Sequence, residues 1–137
     1  MEYSITPSKD GTYIILKVKG NITRNSAMEM NLEAHALGRQ LHIRRYLVDV
    51  TEARNVEFNT ENYQFAYTDL RKTEGIDKHA RVVTLVSPDD HSHDFIETVS
   101  RNAGFNLRLF TDLRQAKRFL MDEDSPDAAP ADDENAG

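Results

Sequence analysis

The segment DDHSHD, residues 89 to 94, gathers two histidines and three acids into six positions and is the best ligand cluster in the chain. On a helix, His91 and His93 stand two residues apart and point to opposite sides, whereas paired histidine ligands sit three or four residues apart on one face. His91 with Asp94, or Asp90 with Asp94, would converge better. Acids in a first helical turn have a sufficient role in balancing the positive end of the helix, and the chain has no cysteine to complete a ligand set, so no metal is assigned. His35, His42 and His79 are scattered and read as exposed or half-buried. Covalent catalysis finds no support, because there is no cysteine, no G-x-S-x-G elbow, and no serine beside an ordered histidine and acid. The six glycines never take a phosphate-cradling spacing. No catalytic residue and no cofactor is assigned, and an enzyme is the weaker class.

A second candidate lies in RRYLVDVTEARNVEFNTENYQ, residues 44 to 64. Asp49 interrupts an apolar strand near its expected carboxyl end, where ligands of open α/β sheets gather. It also has a structural use there, accepting hydrogen bonds from backbone N–H groups of residues 51 to 56 or from Thr51. A helix is predicted from about Thr60, with Thr60 as its cap and Tyr63, Ala66, Tyr67 and Leu70 as the inward stripe. At ~100° per residue, Phe65 then falls on the opposite side. Phe58 sits just ahead of that helix. Together the two phenylalanines could line an apolar ligand site or contact a protein or membrane, with ordinary packing as the plainer alternative.

The elements that must hold these residues can be read from periodicity. Residues 3 to 8 and 12 to 20 alternate as two strands around the Asp-Gly turn at Asp10, which predicts an N-terminal hairpin. From about Asn25 the period becomes helical, with Met30, Ala34, Leu37 and Leu41 on one face and Asn25 or Ser26 as cap. Residues 44 to 50 and 80 to 87 are apolar enough for strands covered on both faces. Ser87, Pro88 and the following acids predict a helix start, with Phe95, Ile96, Val99 and Ala103 inward. A strand at 105 to 110 and a last helix follow, the latter capped by Thr111 or Asp112 and burying Leu113, Ala116, Phe119 and Leu120. The order is β-β-α-β-α-β-α-β-α. It predicts an α/β domain with a mixed, mostly parallel sheet, an N-terminal hairpin and flanking helices.

The net charge of -6 is concentrated at one end, since residues 122 to 137 hold seven acids and no base. The rest is nearly neutral, with 17 bases against 16 acids. The expected organisation is one domain over residues 1 to 121 and a disordered acidic tail over 122 to 137. Clustered positive charge is lacking, which argues against nucleic acid as a partner. No apolar run approaches the ~20 residues of a membrane span and no signal peptide is evident, so the cytoplasm is the expected location.

The hairpin, the helix, and the strand of the form [LI]-V-D-[VL]-T with its polar loop resemble the STAS domain of anti-sigma-factor antagonists. FIETVSRNAGFNLRLFTDLRQAKRFL, residues 95 to 120, is similar to the bacterial SpoIIAA-like subgroup. The resemblance implies a non-catalytic regulatory or protein-interaction module, with its surface at the 51 to 61 loop and the next helix. It also implies a phosphorylated serine in an Asp-Ser-[Ser/Thr]-Gly motif. Residues 57 to 62 are EFNTEN, with no serine and no glycine. Only Thr60 offers a hydroxyl there, and it matches the family serine only with a shift, so the serine phosphoswitch is expected to be missing and Thr60 is a weak phosphoacceptor.

The candidate ligand or partner surface is therefore Asp49, Thr51, Phe58, Thr60 and Phe65. A rival reading follows from the similarity of STAS-like domains to the CRAL-TRIO lipid-transfer fold. The chain would carry or sense an apolar small molecule or lipid, the helix at 60 to 72 would act as a gate, and Arg71, Lys72, Lys78 and Arg81 would face anionic headgroups in a peripheral membrane contact. The partner is a protein, a second copy in a homodimer included, or an apolar small molecule.

Overall fold

A computed structural model describes residues 1–122, so the expected tail lies outside the described residues apart from Asp122. Five strands form one sheet in sequence order: β1 (Glu2–Pro7), β2 (Ile14–Ile22), β3 (Arg45–Asn55), β4 (Arg81–Leu85) and β5 (Asn106–Phe110). β1 and β2 are antiparallel, with Tyr3 opposite Val18 and Ile5 opposite Leu16, and all later pairs are parallel. The expected mixed sheet with an N-terminal hairpin is the sheet observed. In the hairpin loop the Asp10 carboxylate accepts from the Thr12 hydroxyl and backbone, and Gly11 turns the chain at φ 74°. This is a conformation that glycine adopts without steric penalty.

The helices are α1 (Arg24–Leu41), α2 (Asn59–Gln64), α3 (Asp94–Asn102) and α4 (Leu113–Met121). α2 runs directly into a π-helical segment, Phe65–Leu70. Alternation along the strands divides the core between two faces. Leu16, Val18 and Val50 pack against Ala27 and Met30 of α1, Phe65 and Leu70 of the π-helical segment, and Ile96 of α3. Tyr13, Leu47 and Val83 point the other way, against Ala116 and Leu120 of α4.

Several details depart from the sequence expectations, each for a local reason. Thr23 caps α1, exchanging hydrogen bonds with Ser26 in a capping box, in place of Asn25 or Ser26. Leu41 and Leu113 sit at helix ends beyond the sheet's cover and are exposed. His35 is buried, stacked on Tyr46 at 4.6 Å between ring centroids. Arg81 is also buried and faces no headgroup. Its guanidinium donates to the carbonyls of Phe119 and Asp122 at 3.1 and 2.6 Å, where a cation suits the C-terminal end of α4.

Candidate functional site

β3 continues five residues past its predicted end, through what the sequence suggested was a loop. Lys17 pairs with Asp49 but Lys19 pairs with Glu52, so β3 holds one extra residue, a β-bulge. Asp49 anchors it. Its carboxylate accepts from the Thr51 backbone N–H at 3.0 Å and the Thr51 hydroxyl at 2.7 Å, giving the displaced amide a partner. The Thr51 carbonyl in turn accepts from Ser87 Oγ at 2.8 Å. Hydrogen bonding to Thr51, foreseen as the structural alternative, is thus what Asp49 does. Past the bulge the phase of the strand changes, and Ala53 points into the α1 side after Val50.

The π-helical segment produces the largest correction. The expected inward stripe was Tyr63, Ala66, Tyr67 and Leu70; the buried residues are Asn62, Phe65, Ala66 and Leu70. Phe65 is only 8% exposed and cannot form part of an outer patch. Phe65 and Leu70, five apart, face the same core because i→i+5 bonding widens the turn. Tyr63 and Tyr67 stack on each other on the outside, with centroids 4.5 Å apart. Phe58 is 81% exposed at the N-cap of α2. Thr60, expected as that cap, is instead an exposed residue within the first turn.

Beneath this segment lies a cavity of about 110 Å³, bounded by the sheet below, α1 and α3 at the sides and the π-helical segment above. Its walls include Met30, Val50, Phe65, Leu70 and Ile96, with Asn62, His93 and Ser100 supplying polar atoms. Ser100 is fully buried and its hydroxyl makes no hydrogen bond. His93 Nε2 lies 3.4 Å from both the Ala53 carbonyl and an Asp90 carboxylate oxygen. Burial holds its pKa below the ordinary value despite those acceptors, so the ring is neutral at physiological pH. The Asn62 side-chain oxygen Oδ1 accepts from Asn55 Nδ2 at 2.8 Å, and the Asn55 backbone N–H donates to Ser92 Oγ at 3.0 Å. These bonds join the end of β3 to the cavity's roof and to the turn before α3.

Arg24 closes the rim from the side. Its guanidinium donates to both Asp69 oxygens at 2.7 and 3.0 Å and to Glu61 at 3.3 Å, while its backbone N–H donates to Glu57 at 2.7 Å. A cation at a helix N-terminus opposes the helix dipole, and α1 has no acid in its own first turn. The three acids, Glu57 ahead of α2, Glu61 within it and Asp69 in the π-helical segment, offset that conflict and fasten the roof and its approach to α1. We predict that Arg24→Met loosens this fastening, speeding amide hydrogen exchange over residues 65–71 by about tenfold, equivalent to ~1.4 kcal/mol, a value suited to a partly exposed bidentate pair. Unchanged exchange there would mean the roof is held by packing alone.

The 89 to 94 cluster does not form a ligand set. Residues 88–93 are a turn and α3 begins at Asp94, so the helix start predicted at Pro88 is displaced. Asp90 is buried and accepts from Ser92 N–H at 2.9 Å, with Arg54 3.4 Å away. His91 Nδ1 pairs with Asp94 at 3.0 Å on the surface. Among the described residues, no three histidines or acids come together in a metal-binding group, and no helix is long and apolar enough to cross a membrane. Of the sequence candidates, Asp49 and Thr51 meet at the bulge, Phe58 and Thr60 lie outside, and Phe65 lines the cavity. Arg24, Asn55, Asn62 and Ser100 were not foreseen, although Ser100 stands four residues after Ile96 on a helical apolar stripe, and His93 was noticed only as a member of the 89 to 94 cluster.

Fold and site together define a single-sheet α/β domain with a small covered cavity. No protein-family model matches the chain and no curated protein matches it. Among solved structures, it is similar to an uncharacterized protein from the DUF3478 family with a SpoIIAA-like fold, from Shewanella loihica PV-4. The identity is 18% and the TM-score 0.48, over 87% of this chain and 92% of that one. A likeness of that degree assigns neither a residue nor an activity.

Proposed function

We propose that the protein is a non-catalytic regulatory module, SpoIIAA-like in its order of elements, that senses or carries a small apolar molecule in the cavity beneath Phe65. The observation that supports this most is an apolar volume roofed by a π-helical segment. Such wide turns are less favourable than α-helix and recur at functional sites, and here the turn forms a wall of the cavity that lies outside the sheet. In this reading the serine phosphoswitch is absent, because residues 57 to 62 contain no serine. A full lipid is too large for the closed volume, so peripheral membrane contact would require the roof to lift.

Native mass spectrometry of freshly purified protein tests the proposal. A small co-purifying mass is expected in the wild type and is expected to be lost in Ala27→Leu, which fills the cavity from α1. Filling an existing void without strain should alter stability by less than about 1 kcal/mol. A clean apo mass, with no small apolar compound raising the melting temperature, would defeat the reading.

A second reading is favoured by Phe58, which at 81% exposure stands beside exposed Val56 and Tyr63 on the outside of the same segment. This face would contact a protein partner and report the state of the roof. Phe58→Ala should leave stability within about 0.5 kcal/mol of wild type in denaturant titration, since the ring buries little. It should weaken binding in a calorimetric titration against that partner; equal affinity would remove Phe58 from the interface.

A further inference from the structure

Ser100 carries information about the cavity's occupant beyond its apolar character. A buried serine in a helix ordinarily donates to the carbonyl one turn back, but the Ser100 hydroxyl is fully buried and without a hydrogen-bond partner. Leaving such a group unsatisfied is unfavourable by about 1–3 kcal/mol, and native proteins keep few of them. Ser100 is one of the residues that line the cavity, so a partner for its hydroxyl is to be sought there.

Charge and size narrow the class further. The charged residues of the lining are Arg24 and Glu57: the Arg24 guanidinium is engaged by Asp69 and Glu61, and Glu57 accepts from the Arg24 backbone N–H. His93 is neutral and already faces Ala53 and Asp90. An ion inside would therefore have no counter-charge and would remain desolvated. The volume of about 110 Å³ is between three and four times the ~30 Å³ share of one water, which limits an occupant to a handful of non-hydrogen atoms.

Resting on the small-molecule reading above, we propose that the ligand is a compact, uncharged molecule with a branched or short apolar body and one hydroxyl or carbonyl group, bonded to Ser100 and enclosed by Met30, Val50, Phe65 and Ile96. A small alcohol, aldehyde or ketone has this chemistry. A carboxylate of the same skeleton does not.

Three probes of five non-hydrogen atoms each distinguish the class from its alternatives in the full chain: isobutanol, its hydrocarbon isostere 2-methylbutane, and the propionate anion, each titrated into labelled protein and followed by amide NMR shifts at residues 48–50, 65–70 and 96–100. Isobutanol is expected to bind, propionate to be excluded, and Ser100→Ala to weaken isobutanol about five- to tenfold while changing 2-methylbutane by less than about twofold, as the loss of one hydrogen bond dictates. Alanine is the better helix former and removes a buried polar atom, so the variant should fold. If 2-methylbutane binds as well as isobutanol, and Ser100→Ala affects both alike, the assigned class is wrong while the cavity remains a ligand site. If propionate binds as well as the alcohol, the uncharged class is likewise wrong. If no probe shifts those amides, the cavity holds only water and the small-molecule reading falls with the proposal.

Discussion

Replacing Gly38 by alanine is expected to destabilise the protein by at least about 2 kcal/mol, even though alanine in a helix interior is ordinarily worth about 1 kcal/mol over glycine. The reason is the close approach of β3 to the last turns of α1. A Cβ at position 38 would stand 2.0 Å from the Tyr46 hydroxyl oxygen, 2.9 Å from the adjoining ring carbon and 2.8 Å from the Ile43 carbonyl oxygen. The tyrosine cannot easily move away, because it is 3% exposed and its ring is stacked on His35. Nor can the backbone, since Ile43 N–H donates to the Gly38 carbonyl at 2.8 Å and His42 closes the helix in the left-handed conformation at φ 60°. Urea titration should show a lower midpoint with an unchanged slope. Combining Gly38→Ala with Tyr46→Phe should recover about 1 kcal/mol of coupling by removing the nearest atom, and full additivity of the two changes would contradict this account.

Much of the scaffold was legible in the chain because local and global signals agreed. The alternation around Asp10 and Gly11 and the apolar YLVDV segment gave the hairpin and the central strand, and helical stripes gave α1 and α4. The misses cluster where tertiary contacts override a local rule. Ser87-Pro88-Asp89-Asp90 has the composition of a helix start, but Asp90 is drawn into bonds with Ser92, Arg54 and His93, which hold residues 88–93 as a turn. Residues 51–55 alternate as a strand should, but the bulge at Asp49 and Thr51 shifts their phase and hides the continuation. In the roof, Tyr63 and Tyr67 looked like the buried stripe because aromatic residues usually are; the wide turn and the Asn55–Asn62 bond turn the helix so that Phe65 goes inside. The cavity, which exists only when four separate segments close over it, leaves little trace in any one of them. Arg24 at a helix start and Ser100 on an apolar stripe were the available clues, each a residue in conflict with its local surroundings.

Acid should weaken the fold well above the range in which carboxylates titrate, and His35 is the principal cause. Burial against Tyr46 lowers its pKa to about 4 from an ordinary 6.5, with Asp77 pulling the other way and Arg39 adding slightly to the lowering. The neutral ring is also the form required by its hydrogen bond, in which Nδ1 accepts from the Asp77 backbone N–H at 2.9 Å. A base with a depressed folded pKa stabilises the native state above its unfolded pKa, and that stability is lost as pH falls from 6.5 toward 4. At ~1.4 kcal/mol per pH unit of difference, lowering the pH from about 7 to about 4.5 should remove on the order of 2–3 kcal/mol. His93, depressed in the same direction by burial, adds to the loss. Asp77 does not contribute in this window, because its bond to Arg44 holds it down to about 2 and its own contribution is lost only below 3.8. The variant His35→Asn supplies an amide oxygen to the Asp77 N–H and has no proton to gain. It should be less stable than wild type at neutral pH, because asparagine fills less of the space beside Tyr46, but its stability should fall distinctly less between those pH values. Denaturant titrations of both proteins across that range decide the matter: parallel curves would mean that the acid sensitivity originates elsewhere, with His93 the next group to replace.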